Sequence, residues 1–292
     1  MNSSITPYIL LDSGNGLKLE QVGPLRIVRP ALNAFWKPSL QKKEWDNVDA
    51  IFTRTSAGGG VWSWKNGSKQ PAEGEWLALW GGVVFIIKPT NFGHLGFFAE
   101  QYSNWRWMRE FISKLPSGTE TLNLFAYSGG ATFAMAQGGA NACHLDASKG
   151  IIEWAKKNLE HNHDVKGRVR WICDDAMKFV QREKRRGHKY SGICLDPPSF
   201  GRGVQGQVWK IENDIADLLV QVREILDTKH SFFLLLTCHS QGFSPFSLGR
   251  MLKQAFPEHE PLVEFGEMLI PEQAKKEHSL PAGLFARLKV EQ

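Results

Sequence analysis

Thr121-Leu122-Asn123-Leu124-Phe125-Ala126-Tyr127-Ser128-Gly129-Gly130-Ala131-Thr132 is the stretch that decides the fold. An apolar run enters a turn with two glycines, and helix-forming residues follow as far as Gly138-Gly139. The same order recurs downstream. Residues 121–125, 142–146, 169–172, 192–196 and 232–237 read as strands, and the stretch 148–162 places Ile152, Ala155 and Leu159 on one helical face. Nearly all-apolar strands joined by helices predict an α/β fold with a parallel sheet covered on both faces. Right-handed crossovers then gather the carboxyl ends of the strands on one edge, where such sheets bind ligands.

Upstream the texture differs. Residues 1 to about 110 carry short β-like runs such as Leu25-Arg26-Ile27-Val28, Gly60-Val61-Trp62-Ser63-Trp64 and Gly82-Val83-Val84-Phe85-Ile86-Ile87. Turn clusters separate them, among them Asp12-Ser13-Gly14-Asn15-Gly16 and Lys65-Asn66-Gly67-Ser68. Trp36, Trp45, Trp62, Trp64, Trp76, Trp80 and Trp105, out of 11 tryptophans, lie before residue 106. It reads as a smaller antiparallel β-rich module in which most aromatics fill a pleated core rather than stack on bases. The division expected is 1–112 for this module and 113–292 for the α/β domain.

Hydrophobic residues at 42% and charged residues at 22% exclude a globally disordered or fibrous chain. There is no apolar run of about 20 residues and no secretory pattern at Met1-Asn2-Ser3-Ser4-Ile5, so the chain is expected to be cytoplasmic with no membrane partner. Its 4 cysteines lack CxxC spacing and its 9 histidines lack HExxH spacing, so neither disulfides nor a metal is expected. Cys143, Cys173 and Cys194 read as small core residues. The net charge of +5 suits an anionic partner such as RNA.

Four strand ends carry the chemistry. At the first, Tyr127-Ser128-Gly129-Gly130 allows backbone to approach a ligand, although tight packing also calls for glycine. Ala131-Thr132-Phe133 breaks the GxGxxG pattern, which demotes a nicotinamide-dependent oxidoreductase. At the second, Asp146-Ala147-Ser148 offers an acid for the hydroxyls of a ribose, or a helix cap that Ser148 can supply instead. At the third, Asp175-Ala176 offers an acceptor for an adenine amino group or, again, a cap. At the fourth, Asp196-Pro197-Pro198-Ser199-Phe200 places an acid beside two prolines that fix the backbone.

Asn123-Leu124-Phe125-Ala126-Tyr127-Ser128-Gly129-Gly130, Asp146-Ala147-Ser148, Asp174-Asp175-Ala176 and Asp196-Pro197-Pro198-Ser199-Phe200 together resemble the class I S-adenosylmethionine-dependent methyltransferases. Within them they are similar to the ribosomal RNA branch that includes the large-subunit cytosine-C5 and guanine-N7 enzymes. The resemblance covers residues from about 82 to 292. It begins at Lys88-Pro89-Thr90 and continues through Gly96-Phe97-Phe98-Ala99-Glu100-Gln101-Tyr102-Ser103-Asn104. Trp105 stands where the family usually has arginine, so Gln101 and Asn104 are carried over and the arginine contact is not. No PUA domain is recognised. The resemblance implies a Rossmann-like seven-stranded methyltransferase sheet, with 280–287 as its last antiparallel strand. It also implies S-adenosyl-L-methionine as cofactor and RNA, in ribosomal RNA or a ribosomal subunit, as partner. Cofactor contacts fall on Gln101, Asn104, Tyr127, Ser128, Gly129, Asp146, Ala147, Ser148, Asp175, Ala176 and Asp196. Asp196, Pro197 and Pro198 lie at the target base.

Cys238, in Leu235-Leu236-Thr237-Cys238-His239-Ser240, bears on which atom is methylated. Carbon-5 of cytosine needs a thiolate to add to the ring first, and Thr237-Cys238 resembles the pair that cytosine-C5 enzymes carry at this strand end. His239 would help to ionise that thiol, although sequence neighbours on a strand face opposite ways. A buried cysteine with a ring or exocyclic nitrogen as target fits the Asp-Pro-Pro-Ser pattern equally. Arg182-Glu183-Lys184-Arg185-Arg186-Gly187-His188-Lys189 reads as a solvated helix end in preference to a phosphate contact. Gly201-Arg202-Gly203-Val204-Gln205-Gly206 reads as a flexible loop beside Asp196, either an ordinary mobile loop or a substrate cover with Arg202 and Lys210 at RNA phosphate. A protein amine methyltransferase and a non-catalytic RNA-binding protein of the same fold remain as rivals.

Overall fold

The computed structural model describes residues 5–55, 58–65, 67, 71, 74–202, 206 and 208–292. Asn66 and Ser68 of the expected turn, and Gly203, Val204 and Gln205 of the expected loop, lie outside the described residues, as does the side chain of Arg202. Packing divides the chain into two units, Met1–Tyr102 with Leu269–Ala282, and Ser103–Met268 with Gly283–Gln292.

The first unit contains β1 (Tyr8–Gly14), β2 (Leu17–Val22), β3 (Leu25–Pro30), α1 (Lys42–Asp46), β4 (Ala50–Arg54), β5 (Gly60–Trp64), β6 (Trp76–Trp80) and β7 (Val83–Ile87). Strands β1 to β5 form one sheet in sequence order, and β6 and β7 form a hairpin. The sheet is not wholly antiparallel as expected. Ile27 and Val28 of β3 pair in parallel with Ala50 and Ile51 of β4, because the long connection through α1 brings the chain back in the same direction. Tyr8, Leu10, Leu19, Leu25 and Ile27 are fully buried.

Glu20 is also fully buried and is held by Arg29, with Nε to Oε2 and Nη2 to Oε1 both at 2.7 Å, and by the Tyr8 hydroxyl at 2.9 Å. Burial alone would push its carboxyl up, but Arg29 and Lys18 hold it down at about 2. The indole N–H groups of Trp36, Trp62, Trp76 and Trp80 donate to the carbonyls of Ser13, Thr90, Val22 and Ala99. Trp76 is buried, Trp62 and Trp80 are partly buried and Trp36 is exposed, and each satisfies its polar edge on a backbone carbonyl.

The second unit follows with α2 (Tyr102–Ile112), whose first residue packs with the first unit, then β8 (Glu120–Leu124), α3 (Gly130–Gln137), β9 (Asn141–Asp146) and α4 (Lys149–Leu159). Next come β10 (Val169–Cys173), α5 (Ala176–Arg186), β11 (Gly192–Leu195), β12 (Phe200–Arg202), β13 (Val208–Lys210) and α6 (Ile211–Ile225). The chain ends with β14 (Phe232–Cys238), α7 (Pro245–Ala255), β15 (Glu264–Pro271) and β16 (Ser279–Val290). The main sheet has seven strands in the order β10-β9-β8-β11-β14-β16-β15.

Strands β8 to β11 and β14 pair in parallel, and β16 runs antiparallel to β14 from Leu284 beside Cys238 to Val290 beside Phe232. The order reverses between β8 and β11, and the crevice at such a reversal is where open α/β sheets take ligands.

Two features differ from the sequence reading. Cys173 is exposed rather than buried, because β10 is an edge strand. Phe200–Arg202 pairs antiparallel with Val208–Lys210 as β12 and β13, so Gly201 and Arg202 of the expected loop lie on a strand. The pair is anchored by Trp209, whose indole donates to the Pro198 carbonyl at 2.8 Å and whose ring lies 5.0 Å from that of Phe125. The basic run at the end of α5 makes internal pairs, Arg182 with Asp174 at 2.7 Å and Arg186 with Glu183 at 2.9 Å, and Gly187 closes the helix at φ 66°.

Candidate active site

The first loop is strained. After β8 the backbone enters the left-handed region at Phe125 (φ 58°), at Tyr127 (φ 49°) and at Gly129 (φ 103°). Left-handed conformations are uncommon for residues with a Cβ and cost about 1–3 kcal/mol each, so the surroundings must enforce them. Ala126 N donates to Leu145 O at 3.0 Å, and Tyr127 N donates to Asp146 Oδ2 at 3.1 Å. Below, the Ser128 carbonyl accepts from Asn158 Nδ2 at 2.9 Å.

The glycines serve packing as well. A Cβ at Gly129 would stand 2.6 Å from the Phe133 ring, and one at Gly130 would stand 2.4 Å from the Trp105 ring. Trp105 is buried there, so the position where arginine was expected is packing surface in this chain. Helix α3 starts here with no side-chain cap, which leaves its first amides to an incoming anion.

Asp146, at the end of β9, is half-buried and anchored on both oxygens, Oδ2 by Tyr127 N and Oδ1 by Ser148 N at 2.9 Å. Burial pushes its carboxyl up, and the backbone donors pull it back only in part. Ser148 caps α4, its Oγ accepting from Ile151 N, while Ala147 is exposed and its carbonyl lies 3.6 Å from Cys173 Sγ. Behind this edge a buried chain runs from Asn123 Nδ2 to Thr132 Oγ1 and from there to His144 Nδ1, each step 2.9 Å. Burial pulls the imidazole down to about 3, so His144 is neutral. At the third edge Asp175 caps α5 through Lys178 N at 3.0 Å, and Ala176 is buried beside it.

Asp196, at the switch point, is held by side chains. Thr237 Oγ1 donates to Asp196 Oδ1 at 2.7 Å, and His239 Nδ1 lies 3.5 Å from the same oxygen. Pro197 is buried and Pro198 exposed. The Pro198 carbonyl already accepts from Trp209, and Ser199 Oγ meets Ser240 Oγ at 2.6 Å.

Cys238 turns the other way. It is 1% exposed within the apolar core, and its sulfur accepts from Ser240 N at 3.4 Å. Burial pushes the thiol up, against smaller opposing pulls from the Ser240 hydrogen bonds and then from His239. His239 is instead directed at Asp196.

Gln101 sits in a 3-10 turn, Ala99–Gln101, of the first unit and is buried. Asn104 is fully buried in α2 of the second unit, with Nδ2 at 3.2 Å from Met268 Sδ. The sequence reading did not see Thr237 as the partner of Asp196, nor Trp209 as the latch on Pro198. A threonine closing an otherwise apolar strand was the available signal for the first. Among the described residues no group of three or more His, Cys, Asp or Glu side chains could hold a metal ion, and no helix is long and apolar enough to cross a membrane.

A family model described as S-adenosylmethionine-dependent methyltransferase matches residues 63–243. A solved S-adenosylmethionine-dependent methyltransferase from Agrobacterium tumefaciens is 38% identical, with a TM-score of 0.87 over 99% of this chain and 92% of its own. The ribosomal RNA large subunit methyltransferase K/L of Pseudomonas paraeruginosa is 32% identical over 158 residues, 53% of this chain and 21% of the relative. The ribosomal RNA large subunit methyltransferase I of Aeromonas hydrophila is 29% identical over 121 residues, 41% of this chain and 30% of the relative. The matches thus span between a fifth and a third of the length of these curated relatives.

Proposed function

The chain belongs to the S-adenosylmethionine-dependent methyltransferase family, and from that premise we propose that it methylates a nitrogen of a base in structured RNA, ribosomal RNA in particular. The observation that carries the choice of nitrogen is the contrast at the end of β14. Thr237 and His239 address Asp196 while Cys238 lies in the core with its thiol pushed up. A cytosine-C5 mechanism needs that thiol ionised and in the cleft. The choice of RNA rests on the curated relatives named for ribosomal RNA and on the basic charge of the chain.

The residues present fit the cofactor. The uncapped start of α3 beside the left-handed Gly129 suits the carboxylate of its methionine end. Asp146, fixed by Tyr127 N and Ser148 N, suits the ribose hydroxyls, and Asp175 with Ala176 suits the adenine. Asn104, Ser128 and Ala147 complete the proposed set within the second unit. When bound, S-adenosylmethionine supplies an electrophilic methyl that carries its own leaving group. The protein's share is then mainly alignment, with the reacting atoms held about 3–3.5 Å apart.

Thr237 fixes the Asp196 carboxylate so that it accepts the N–H of the target nitrogen. For an amino target Asp196 also takes the proton released as the new N–C bond forms. Pro197 and Pro198 hold the backbone beside it rigid, with Trp209 pinning the second. Residues 113–292 carry catalysis in this reading, and residues 1–112 contact the RNA.

The test is transfer of labelled methyl to undermodified ribosomal RNA and to ribosomal subunits by the wild type, Asp196→Ala and Cys238→Ala. Label with the wild type and Cys238→Ala, but not with Asp196→Ala, is the expected result. An inactive Cys238→Ala that still binds cofactor would move the target to cytosine C5. Tight cofactor binding with no RNA labelled would overturn the RNA assignment in favour of a protein amine substrate.

A further inference from the structure

On the flank of the second unit, α7, the turn after it and β15 enclose a groove of about 460 Å³ lined by Phe246, Arg250, Lys253, Gln254, Pro257, Glu260 and Phe265. A groove of that size falls in the range of roughly 300–1,000 Å³ that small ligands fill. None of these residues belongs to the cofactor or target constellation. Phe246 is 67% exposed and Phe265 37% exposed, with the two rings edge to face at 6.0 Å. Phe265 is seated on Gly249, where a Cβ would stand 2.3 Å from the ring, so that aromatic is fixed by close packing. Lys253 Nζ lies 6.0 Å over the Phe265 ring and 3.6 Å from Glu260. Arg250 is exposed and makes no ion pair among the described residues.

A packed aromatic beside an exposed one, interleaved with cations, matches one chemistry well. Unpaired nucleotides present flat bases that stack on Phe, and phosphates that pair with Arg and Lys. The exposed amide of Gln254 adds a donor and an acceptor for a base edge. Helix α7, which carries Phe246, Arg250 and Lys253, follows β14 in the chain and starts at Pro245, seven residues beyond Cys238.

We infer that this groove is a second RNA subsite, in which an unpaired base of the substrate stacks on Phe246 with its phosphates on Arg250 and Lys253. The inference rests on the RNA reading above and gives that reading a location outside the target-base site.

The experiment measures KM and kcat for ribosomal RNA, S-adenosylhomocysteine affinity, and binding of a fluorescent single-stranded oligouridylate of about twelve nucleotides. Phe246→Ala is expected to raise the RNA KM and weaken oligouridylate binding about tenfold, while kcat and cofactor affinity stay unchanged. Phe246→Tyr, which keeps a stacking face, is expected to restore both. Arg250→Gln is expected to lower the slope of log affinity against log salt by about one.

An unchanged RNA KM in Phe246→Ala and Arg250→Gln, with the wild type active on RNA, overturns the subsite and leaves the proposed function standing. Loss of a dimer in Phe246→Ala without any change in RNA affinity also overturns it, because the groove then joins two copies of the chain. A wild type that neither binds nor methylates any RNA overturns the proposed function itself.

Discussion

The two halves of the carboxyl edge are built differently. On the side of β8 and β9 the acid is held by main chain: Asp146 receives Tyr127 N and Ser148 N, and the loop above it passes through three left-handed residues. On the side of β11 and β14 the acid is held by side chains, with Thr237 at 2.7 Å and His239 at 3.5 Å from Asp196 Oδ1. The first half is a shape fixed by backbone conformation and close packing. The second is a polar cluster that single substitutions can rewrite with little effect on the fold. On the proposed roles, the half assigned to the cofactor should tolerate substitution less than the half assigned to the target base.

That contrast sets the order of expected effects. Asp196→Ala should lower kcat for methyl transfer by about 10²–10⁴, with a much smaller loss of S-adenosylhomocysteine affinity, read by calorimetric titration, because the same carboxylate is also a proposed cofactor contact. A comparable loss of cofactor affinity would show that the two halves are one site.

Gly129→Ala should destabilise the protein by about 1–3 kcal/mol in denaturant titration, since it forces a Cβ onto φ 103° and within 2.6 Å of the Phe133 ring. It should also abolish the thermal shift produced by S-adenosylhomocysteine.

His144 gives the pH dependence. Its value is pulled from 6.5 to about 3 by burial, so the unfolded chain binds the extra proton first as pH falls. The stability it contributes is complete above 6.5 and is lost as pH drops towards 3. His144→Gln should flatten the fall in thermal midpoint across that window, and an unchanged slope would assign the acid sensitivity elsewhere.

The smallest effect belongs to Cys238→Ala. Only a small buried group is removed, so kcat/KM should stay within about twofold of wild type and stability should fall by about 1 kcal/mol.

What the sequence allowed was what local pattern encodes. The strands β8, β9, β10, β11 and β14 were legible because buried parallel strands are apolar runs, and the acids were legible because they follow such runs. Pairings that depend on distant chain were not. That β3 lies parallel to β4 follows from the path through α1, which no short window contains. Cys173 and Cys238 look alike in sequence, yet one ends an edge strand and is exposed while the other ends a central strand and is enclosed. The Thr237 hydroxyl and Trp209 indole gain their meaning only from the register that sets β14 beside β11 and folds β13 back onto Pro198.

Trp105 and Gly130 carry a consequence for descent. The indole fills the volume that a side chain at 130 would need, and the bare Cα at 130 is what admits the indole. Any side chain at 130 meets the ring, so position 130 is closed while Trp105 stands. Gly130 also belongs to the motif shared with the arginine-bearing family, so the same glycine is compatible with arginine at 105. The dependence runs one way: the indole requires the glycine, and the glycine does not require the indole.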